Sequence, residues 1–172
     1  MHDRGVEREP ILTPAERRFL ADARRSVLAT VDPEGRPRLV PICHVVGERD
    51  DRLGRPRLYT PIDEKPKASA DPRALSRVKD LLVLPSAVIL ADWWDEDWTQ
   101  LGWLRVYGTA EILEPQPHER EEHASAVDAL RRKYPQYQDQ RLEGRPIIRV
   151  AINRALSWGE LDADAQELPA ST

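Results

Sequence analysis

Basic side chains and one hydroxyl group cluster between residues 65 and 79 of this 172-residue chain. Arg73 and Arg77 are four residues apart, so on a helix they would be surface neighbours, with Ser76 beside Arg77. Guanidinium, ammonium and hydroxyl groups arranged in this way suit a phosphate or polycarboxylate ligand. A solvated helix face has the same composition, so the pattern alone leaves both interpretations open. The cluster consists of Lys65, Lys67, Arg73, Ser76, Arg77 and Lys79.

Other kinds of site find little support in the residue types. The histidines are scattered and have no Cys or His partner at ligand spacing, so we predict no metal site. Cys43 and His44 are adjacent in a predicted strand and face opposite ways, which excludes a nucleophile–base pair and leaves Cys43 as a buried structural residue. The chain has no phosphate-binding glycine loop, and we predict no catalytic side chain. The four histidines are His2, His44, His118 and His123, and we expect the last two to be in solvent.

Composition and length limit the class of protein. With 26 basic and 30 acidic residues the formal charge is −4, which predicts neither nucleic-acid nor membrane binding. The single cysteine cannot form an internal disulfide, and Met1 to Pro10 lacks the apolar core of a signal peptide, so a reducing cytoplasm is expected. We predict one domain over residues 11–160, with flexible ends at 1–10 and 161–172.

Three helices are predicted from capping signals and apolar spacing. Thr13-Pro14-Ala15-Glu16 forms a capping box that begins a helix running to about Arg25. A second helix begins at Asp71-Pro72 and ends before Pro85, and a third covers Pro117 to Tyr134. The predicted buried residues of the second helix are Leu75, Val78, Leu81 and Leu82, and those of the third are Ala124, Val127, Leu130 and Tyr134.

The strands begin with a hairpin over Ser26 to Val46. Its two halves alternate with period two, and Asp32-Pro33-Glu34-Gly35 has the preferred residues of a type I turn. Further strands are predicted at Arg57–Thr60, Ala87–Ala91, Trp103–Leu113 and Pro146–Ile152. In the strand from Trp103, alternation places Trp103, Arg105 and Tyr107 on one face and Leu104, Val106 and Gly108 on the other. About six strands and three helices indicate a mainly β (α+β) fold, a small antiparallel barrel with helices on its rim.

Two segments carry a family resemblance. A strand ending in Ala29-Thr30, followed by a turn closed by Gly35-Arg36-Pro37, is similar to the first hairpin of the flavin and deazaflavin split-barrel oxidoreductases, the relatives of pyridoxamine 5'-phosphate oxidase. Ser76 to Asp80, leading to Pro85, resembles the family's basic segment before the next strand. The resemblance implies a six-stranded antiparallel split β-barrel with flanking helices, and a homodimer whose cofactor groove lies at the interface.

The resemblance also implies which residues contact the cofactor. Its phosphate would be held by Arg77 and Lys79, with Ser76 and Lys65. The second hairpin strand would run beside the ring system, and an aromatic residue of a later strand would pack on the cofactor across the dimer interface. Two departures from the family pattern are a longer segment between Thr60 and Arg77 and an aspartate at position 80, where many relatives have asparagine. The implied ring contacts are Val40, Pro41, Ile42 and Trp103.

The cofactor follows from the branch that the chain resembles. Residues 11–160 look like the deazaflavin branch, which uses coenzyme F-420, and the acidic end after Trp158-Gly159-Glu160 lacks the basic segment of true pyridoxamine phosphate oxidases. The resemblance therefore implies a reductase that passes hydride from coenzyme F-420 to a small organic acceptor. The alternatives are an FMN-binding oxidoreductase of the same fold and a non-catalytic flavin, deazaflavin or haem carrier. Positive charges expected to meet the acidic F-420 tail are Arg55, Arg57, Lys65 and Lys67.

Two features of the implied reaction stay open at this stage. The proton would come from water, from Tyr107 or from His44. The tryptophans of the Asp92–Gly102 loop would either line a substrate cleft or pack that loop on the partner subunit. These tryptophans are Trp93, Trp94 and Trp98.

Overall fold

A computed structural model describes residues 9–62 and 71–161, so the predicted ligands Lys65 and Lys67 and most of the predicted flexible ends lie outside the described residues. The helices are α1 (Pro14–Asp22), α2 (Ser76–Val83) and α3 (Arg120–Lys133). The strands are β1 (Ser26–Val31), β2 (Pro37–Ile42), β3 (Val45–Val46), β4 (Arg57–Pro61), β5 (Ser86–Trp93), β6 (Gly102–Leu113) and β7 (Ile147–Gly159). Within the described ranges, no helix combines the length and the apolar character needed to cross a bilayer.

All strand pairs are antiparallel and belong to one sheet in the order β2-β1-β5-β6-β7-β4-β3. The two edge strands, β2 and β3, are joined by only Cys43 and His44. A link of this length spans about 10 Å at most. The sheet must therefore curl until its edges nearly meet, which confirms the predicted antiparallel split barrel with flanking helices.

The predicted hairpin and its turn are confirmed. The Gly35 N–H donates to the Asp32 carbonyl at 2.9 Å, and Gly35 has a φ of +80°, which a residue without a side chain adopts most readily. The Asp32 carboxylate accepts from the Arg36 backbone N–H at 2.9 Å and from Arg36 Nε at 2.8 Å. These bonds hold the turn in one conformation and so fix the register of β1 against β2.

The helices cover the barrel through two apolar clusters. The capping box of α1 is present, with Thr13 and Glu16 bonding reciprocally, and Phe19 and Leu20 of α1 are buried. Helix α2 buries Val78 and Leu81 in the same main core as strands β1, β5, β6 and β7. Helix α3 forms a second cluster with β3, β4 and the start of β7.

Several predicted elements are corrected by the packing. The barrel has seven strands, because the predicted second hairpin strand breaks at Cys43 and His44, where the chain moves from one sheet edge to the other. Strand β7 continues to Gly159, well past the predicted end at Ile152, since β6 pairs with its whole length. Leu82 is 64% exposed and Ala124 is also exposed, because α2 and α3 pack on the barrel through narrower faces than the apolar spacing indicated.

Gly108 lies beside an irregularity in the β6–β7 pairing, where the backbones approach closely. A Cβ atom there would lie 2.5 Å from Val150 Cγ1 and 2.6 Å from the Ala151 carbonyl oxygen. We expect Gly108→Ala to lower the free energy of unfolding by about 2–4 kcal/mol, measured by urea denaturation. Gly144→Ala is the control, because no atom lies within 4 Å of the added Cβ. Equal stabilities of the two variants would contradict the close approach.

Candidate functional site

One face of the sheet points away from the main core and carries half-buried apolar and cationic side chains. The alternating burial along β5 and β6 separates this outer face from the core-facing residues, as predicted for Trp103, Arg105 and Tyr107. Strand register aligns Pro41, Val27, Leu90, Arg105 and Leu156 in one row of this outer face and Leu39, Ala29, Val88, Tyr107 and Arg154 in the next.

Arginines and aromatic rings stack along β6 and β7 on the outer face. The Arg105 guanidinium carbon lies 5.5 Å from the Trp103 ring centroid and 5.4 Å from that of Tyr107. Arg154 approaches the Tyr107 ring at 5.4 Å as well. These cation–π contacts hold the two guanidinium groups against the aromatic rings and keep their positive charge at the surface of the sheet. Arg105 and Arg154 were not among the site residues predicted from the sequence.

A cleft of about 450 Å³ opens where β5 ends, β6 begins and β7 ends. We call it the tryptophan cleft. Trp98, in contrast, is 73% exposed and does not line it. Trp158 joins the cleft only because β7 runs to Gly159, past the end predicted at Ile152. The period-two spacing of Leu156 and Trp158 is the signal from which this extension could have been predicted. The lining residues used below are Asp92, Trp93, Trp94, Trp103, Arg105 and Trp158.

The amino end of α2 presents the predicted phosphate ligands. Leu75, at the N-cap, makes no side-chain hydrogen bond to the helix, so the first turn has no side-chain cap. Ser76 and Lys79 are exposed and Arg77 is half-buried, and within the described ranges no carboxylate pairs with Lys79. Arg73, in contrast, is bonded to Glu114 at 2.6 Å, which removes it from the basic cluster. Ser76, Arg77 and Lys79 therefore lie together at the positive end of the helix dipole.

Asp80 attaches α2 to the first hairpin. Its buried carboxylate accepts from Thr30 Oγ1 at 2.9 Å and from Arg38 Nε at 2.8 Å. An asparagine could accept one of these bonds, but only an aspartate compensates the Arg38 charge. The departure from the family pattern at position 80 thus corresponds to a local ion pair that fixes the helix against β1 and β2.

The predicted ring contacts do not share one surface. Ile42 is 7% exposed and Val40 packs against the main core, whereas Pro41 is exposed on the outer face. Trp103 lies near the start of β6, but α2 lies near Thr109, which pairs with Ser86 directly after α2. Six residues of strand separate Trp103 from Thr109, about 20 Å. One protomer therefore places its phosphate-binding candidates and Trp103 at opposite ends of the sheet.

Two predicted contacts for an acidic cofactor tail are already neutralised. Arg55 Nε bonds the Asp51 carboxylate at 2.7 Å, and Arg57 bonds Glu122 at 3.0 Å. Glu122 also accepts from the Tyr59 hydroxyl at 2.7 Å, which with the burial of the phenol raises the Tyr59 pKa. The bonds to Glu122 fasten β4 to α3, whereas the Arg55–Asp51 pair lies within the loop before β4, and both pairs leave little net charge for a ligand.

The predicted roles of two histidines are corrected by their burial. His44 is 0% exposed and its Nε2 lies 2.8 Å from the Leu20 carbonyl oxygen, so it cannot deliver a proton to a ligand on the outer face. Burial and the nearby Lys133 charge lower its pKa to about 4. His123, predicted to be in solvent, is 3% exposed and bonds the Arg145 carbonyl at 2.7 Å, while His118 is exposed as predicted. Among the described residues no cluster could hold a metal ion.

Comparison with known proteins identifies the family. The family model described as pyridoxamine 5'-phosphate oxidase matches residues 12–159, which is most of the chain. The chain belongs to the pyridoxamine 5'-phosphate oxidase family. The resemblance drawn from the hairpin and the basic segment is thereby confirmed. No curated protein matches the sequence.

Several solved structures share the fold. The conserved hypothetical protein Rv2991 from Mycobacterium tuberculosis has a TM-score of 0.63 and 22% identity over 96% of this chain and 94% of its own. An FAD-binding protein from Mesorhizobium loti has a TM-score of 0.58 and 18% identity, with 85% and 94% covered. HutZ, the heme storage protein from Vibrio cholerae, has a TM-score of 0.56 and 13% identity, with 86% and 94% covered.

His44 should make the stability of the protein depend on pH. Its pKa is about 4 when folded, against 6.5 ordinarily, so between these values the unfolded chain binds a proton that the folded protein does not. The free energy of unfolding should fall by up to about 1.4 kcal/mol per pH unit as the pH drops through this window. Urea denaturation of wild type and His44→Gln at several pH values should show a smaller slope for the variant.

The control for this measurement is His118→Gln, because the His118 side chain is 77% exposed. We expect His118→Gln to keep the wild-type slope. Identical pH slopes for wild type and His44→Gln would show that His44 is not held neutral in the core.

Proposed function

We propose that this protein is a homodimeric coenzyme F-420-dependent oxidoreductase that transfers hydride to a small organic acceptor. The observation that carries the proposal is the amino end of α2, where Ser76, Arg77 and Lys79 surround a helix terminus without a side-chain cap. The helix is held at the end of the sheet where β1 ends and β5 begins, through the bonds of Asp80 to Thr30 and Arg38. It stands in the segment that matches the family's phosphate-binding motif.

The residues at this end of α2 fit a phosphate group. A hydroxyl, a guanidinium and an ammonium group are the donors that phosphate oxygens accept from most readily, and the helix dipole adds to their attraction. The nearest buried carboxylate, Asp80, is compensated by Arg38 and therefore opposes an anion only weakly. Because Asp80 also fixes α2 to the hairpin, the residues at the amino end of α2 need little rearrangement to bind a phosphate group.

A second copy of the chain would complete the cofactor groove. The outer face carries apolar residues across five neighbouring strands, and Leu39 is 65% exposed in the single protomer. An apolar face of this extent is typical of a surface that another chain covers. Since one protomer holds Trp103 and α2 at opposite ends of the sheet, Trp103 of a second copy would approach the α2 end of the first. The cofactor would then lie between the two protomers.

The cofactor would supply the hydride, and the acceptor would gain that hydride and a proton, which adds two electrons and two hydrogens to one double bond. The chain's own residues would bind and orient. Arg77, Lys79 and Ser76 would hold the phosphate, and the hairpin would lie beside the ring with Pro41 on the outer face. His44 is excluded as the proton donor by its burial, which leaves water or the half-buried Tyr107.

Coenzyme F-420 is favoured over FMN by the resemblance of residues 11–160 to the deazaflavin branch and by the acidic residue that follows Trp158-Gly159. Arg55 and Arg57 no longer support this choice, because both are paired. An FMN oxidoreductase is the second candidate, since a fold neighbour is described as FAD-binding. Expression in a host that makes both cofactors, followed by mass spectrometry of the released compound, tests the choice. Tight binding without reduction of any acceptor would indicate a carrier.

Removing the two cations of α2 should weaken cofactor binding. We expect Arg77→Ala and Lys79→Ala each to raise the Kd for F-420 about tenfold or more, because each removes a charge-assisted bond to phosphate. Titration monitored by deazaflavin fluorescence measures the change. Arg132→Ala, which removes an exposed positive charge from α3, should leave the Kd unchanged. Unchanged affinity in both α2 variants would overturn the phosphate assignment.

A charge on the outer face should break the proposed dimer. We expect wild type to elute as a dimer and Leu39→Glu as a monomer at micromolar concentration, measured by size-exclusion chromatography with light scattering, because the carboxylate would be buried unpaired at the interface. Leu53→Glu is the control, since Leu53 is 64% exposed in a loop outside the outer face. A monomeric wild type, or a dimeric Leu39→Glu, would contradict this arrangement.

A further inference from the structure

The tryptophan cleft combines flat apolar walls with an arginine that lacks a counter-ion. Four indoles line it, and together with Arg105 and Asp92 they surround a volume of about 450 Å³. Indole faces stack on planar rings and leave little room for branched aliphatic groups. The shape and the surface chemistry of the cleft therefore indicate a planar aromatic ligand.

Arg105 brings an uncompensated positive charge to this cleft. Within the described ranges no carboxylate forms an ion pair with it, and its buried Nε has no hydrogen-bond acceptor. Its guanidinium is instead held by stacking against Trp103 and Tyr107. The charged groups nearby are Asp92, which is exposed at the rim, and Arg154, which lies over Tyr107. The charged lining of the cleft is thus one arginine and one exposed aspartate that does not pair with it among the described residues, and the stacked guanidinium is pre-oriented for a planar anion.

A second donor in the same cleft also lacks a partner. Trp93 borders the cleft from the core-facing side of β5, where it packs against the main core, and its Nε1 is buried without a hydrogen-bond acceptor among the described residues. Buried polar groups in folded proteins are nearly always paired, so two orphaned N–H donors on residues of one cleft point to an acceptor supplied from outside the protomer. A carboxylate offers two oxygens and a full negative charge, which suits an arginine and an indole N–H together.

We propose that the tryptophan cleft binds the organic hydride acceptor and that this acceptor is a planar aromatic carboxylate. The role of this ligand as hydride acceptor rests on the proposed function. The binding of the carboxylate itself does not depend on the cofactor. In this arrangement the aromatic ring lies among the indoles of Trp93, Trp103 and Trp158. The carboxylate accepts from Arg105, and Trp93 Nε1 is the second donor once its ring turns toward the cleft.

Calorimetric titration of the full-length protein without cofactor tests the site, with 2-naphthoate as the probe and neutral 2-naphthylmethanol as its isostere. We expect naphthoate to bind about tenfold more tightly than the alcohol. Arg105→Gln should remove this preference. Trp93→Phe, which keeps an aromatic ring but removes the N–H, should weaken naphthoate binding about threefold and leave the alcohol unaffected. Trp98→Phe is the matched control and should behave like wild type, because Trp98 is exposed outside the cleft.

Equal affinities of wild type for naphthoate and the alcohol would overturn the proposal. If Arg105→Gln dissociates the dimer while Trp93→Phe binds naphthoate as wild type does, Arg105 serves the interface and the proposal fails.

A second titration, with the protein saturated with F-420, separates this proposal from the proposed function. Naphthoate affinity should be equal to or higher than that without cofactor. Competition between naphthoate and F-420 would show that the cofactor occupies the cleft. It would overturn the proposal that the cleft binds an aromatic carboxylate as the acceptor. If F-420 does not bind at all, the proposed function fails, and the cofactor-free titrations still decide whether the cleft takes aromatic carboxylates.

Discussion

The two-residue link between β2 and β3 is the constraint on which the rest of the molecule depends. Cys43 and His44 join the two edges of a seven-stranded sheet, so the sheet has to curl. The link is held from both sides: the Tyr134 hydroxyl accepts from the His44 backbone N–H at 3.1 Å and lies 2.9 Å from the His44 carbonyl, and the His44 ring bonds the Leu20 carbonyl. Helices α1 and α3 are thereby tied to the point of closure, and His44 is kept neutral in the core.

Closure of the sheet decides where a ligand can bind. The inside of the barrel is filled by an apolar core. The two candidate sites therefore lie outside that core, where α2 presents its cations and where the tryptophan cleft opens. They are separated by most of the length of β6, so that the groove we propose would join them across two protomers.

Charge alone was a poor guide to the site, because several of the cations in the described ranges connect parts of the fold. Arg38, Arg57 and Arg149 each pair with carboxylates that connect a strand to a helix. The informative positions are two cations at the candidate sites that have no carboxylate partner there, Lys79 at α2 and Arg105 in the tryptophan cleft. Their lack of a carboxylate partner in the described residues is a property of tertiary packing, which no count of arginines and lysines predicts.

Local signals in the sequence were enough to predict the capping box at Thr13, the turn at Asp32–Gly35, the alternation along β6 and the family, because each depends on residues close together in the chain. Long-range contacts decided the rest. The split of the second hairpin strand at Cys43, the continuation of β7 to Trp158 and the burial of His44 and His123 arise from pairing between distant segments. The same contacts neutralised Arg55 and Arg57 and left Arg105 unpaired, since whether a charge meets a partner depends on which strands and helices the closed sheet brings together.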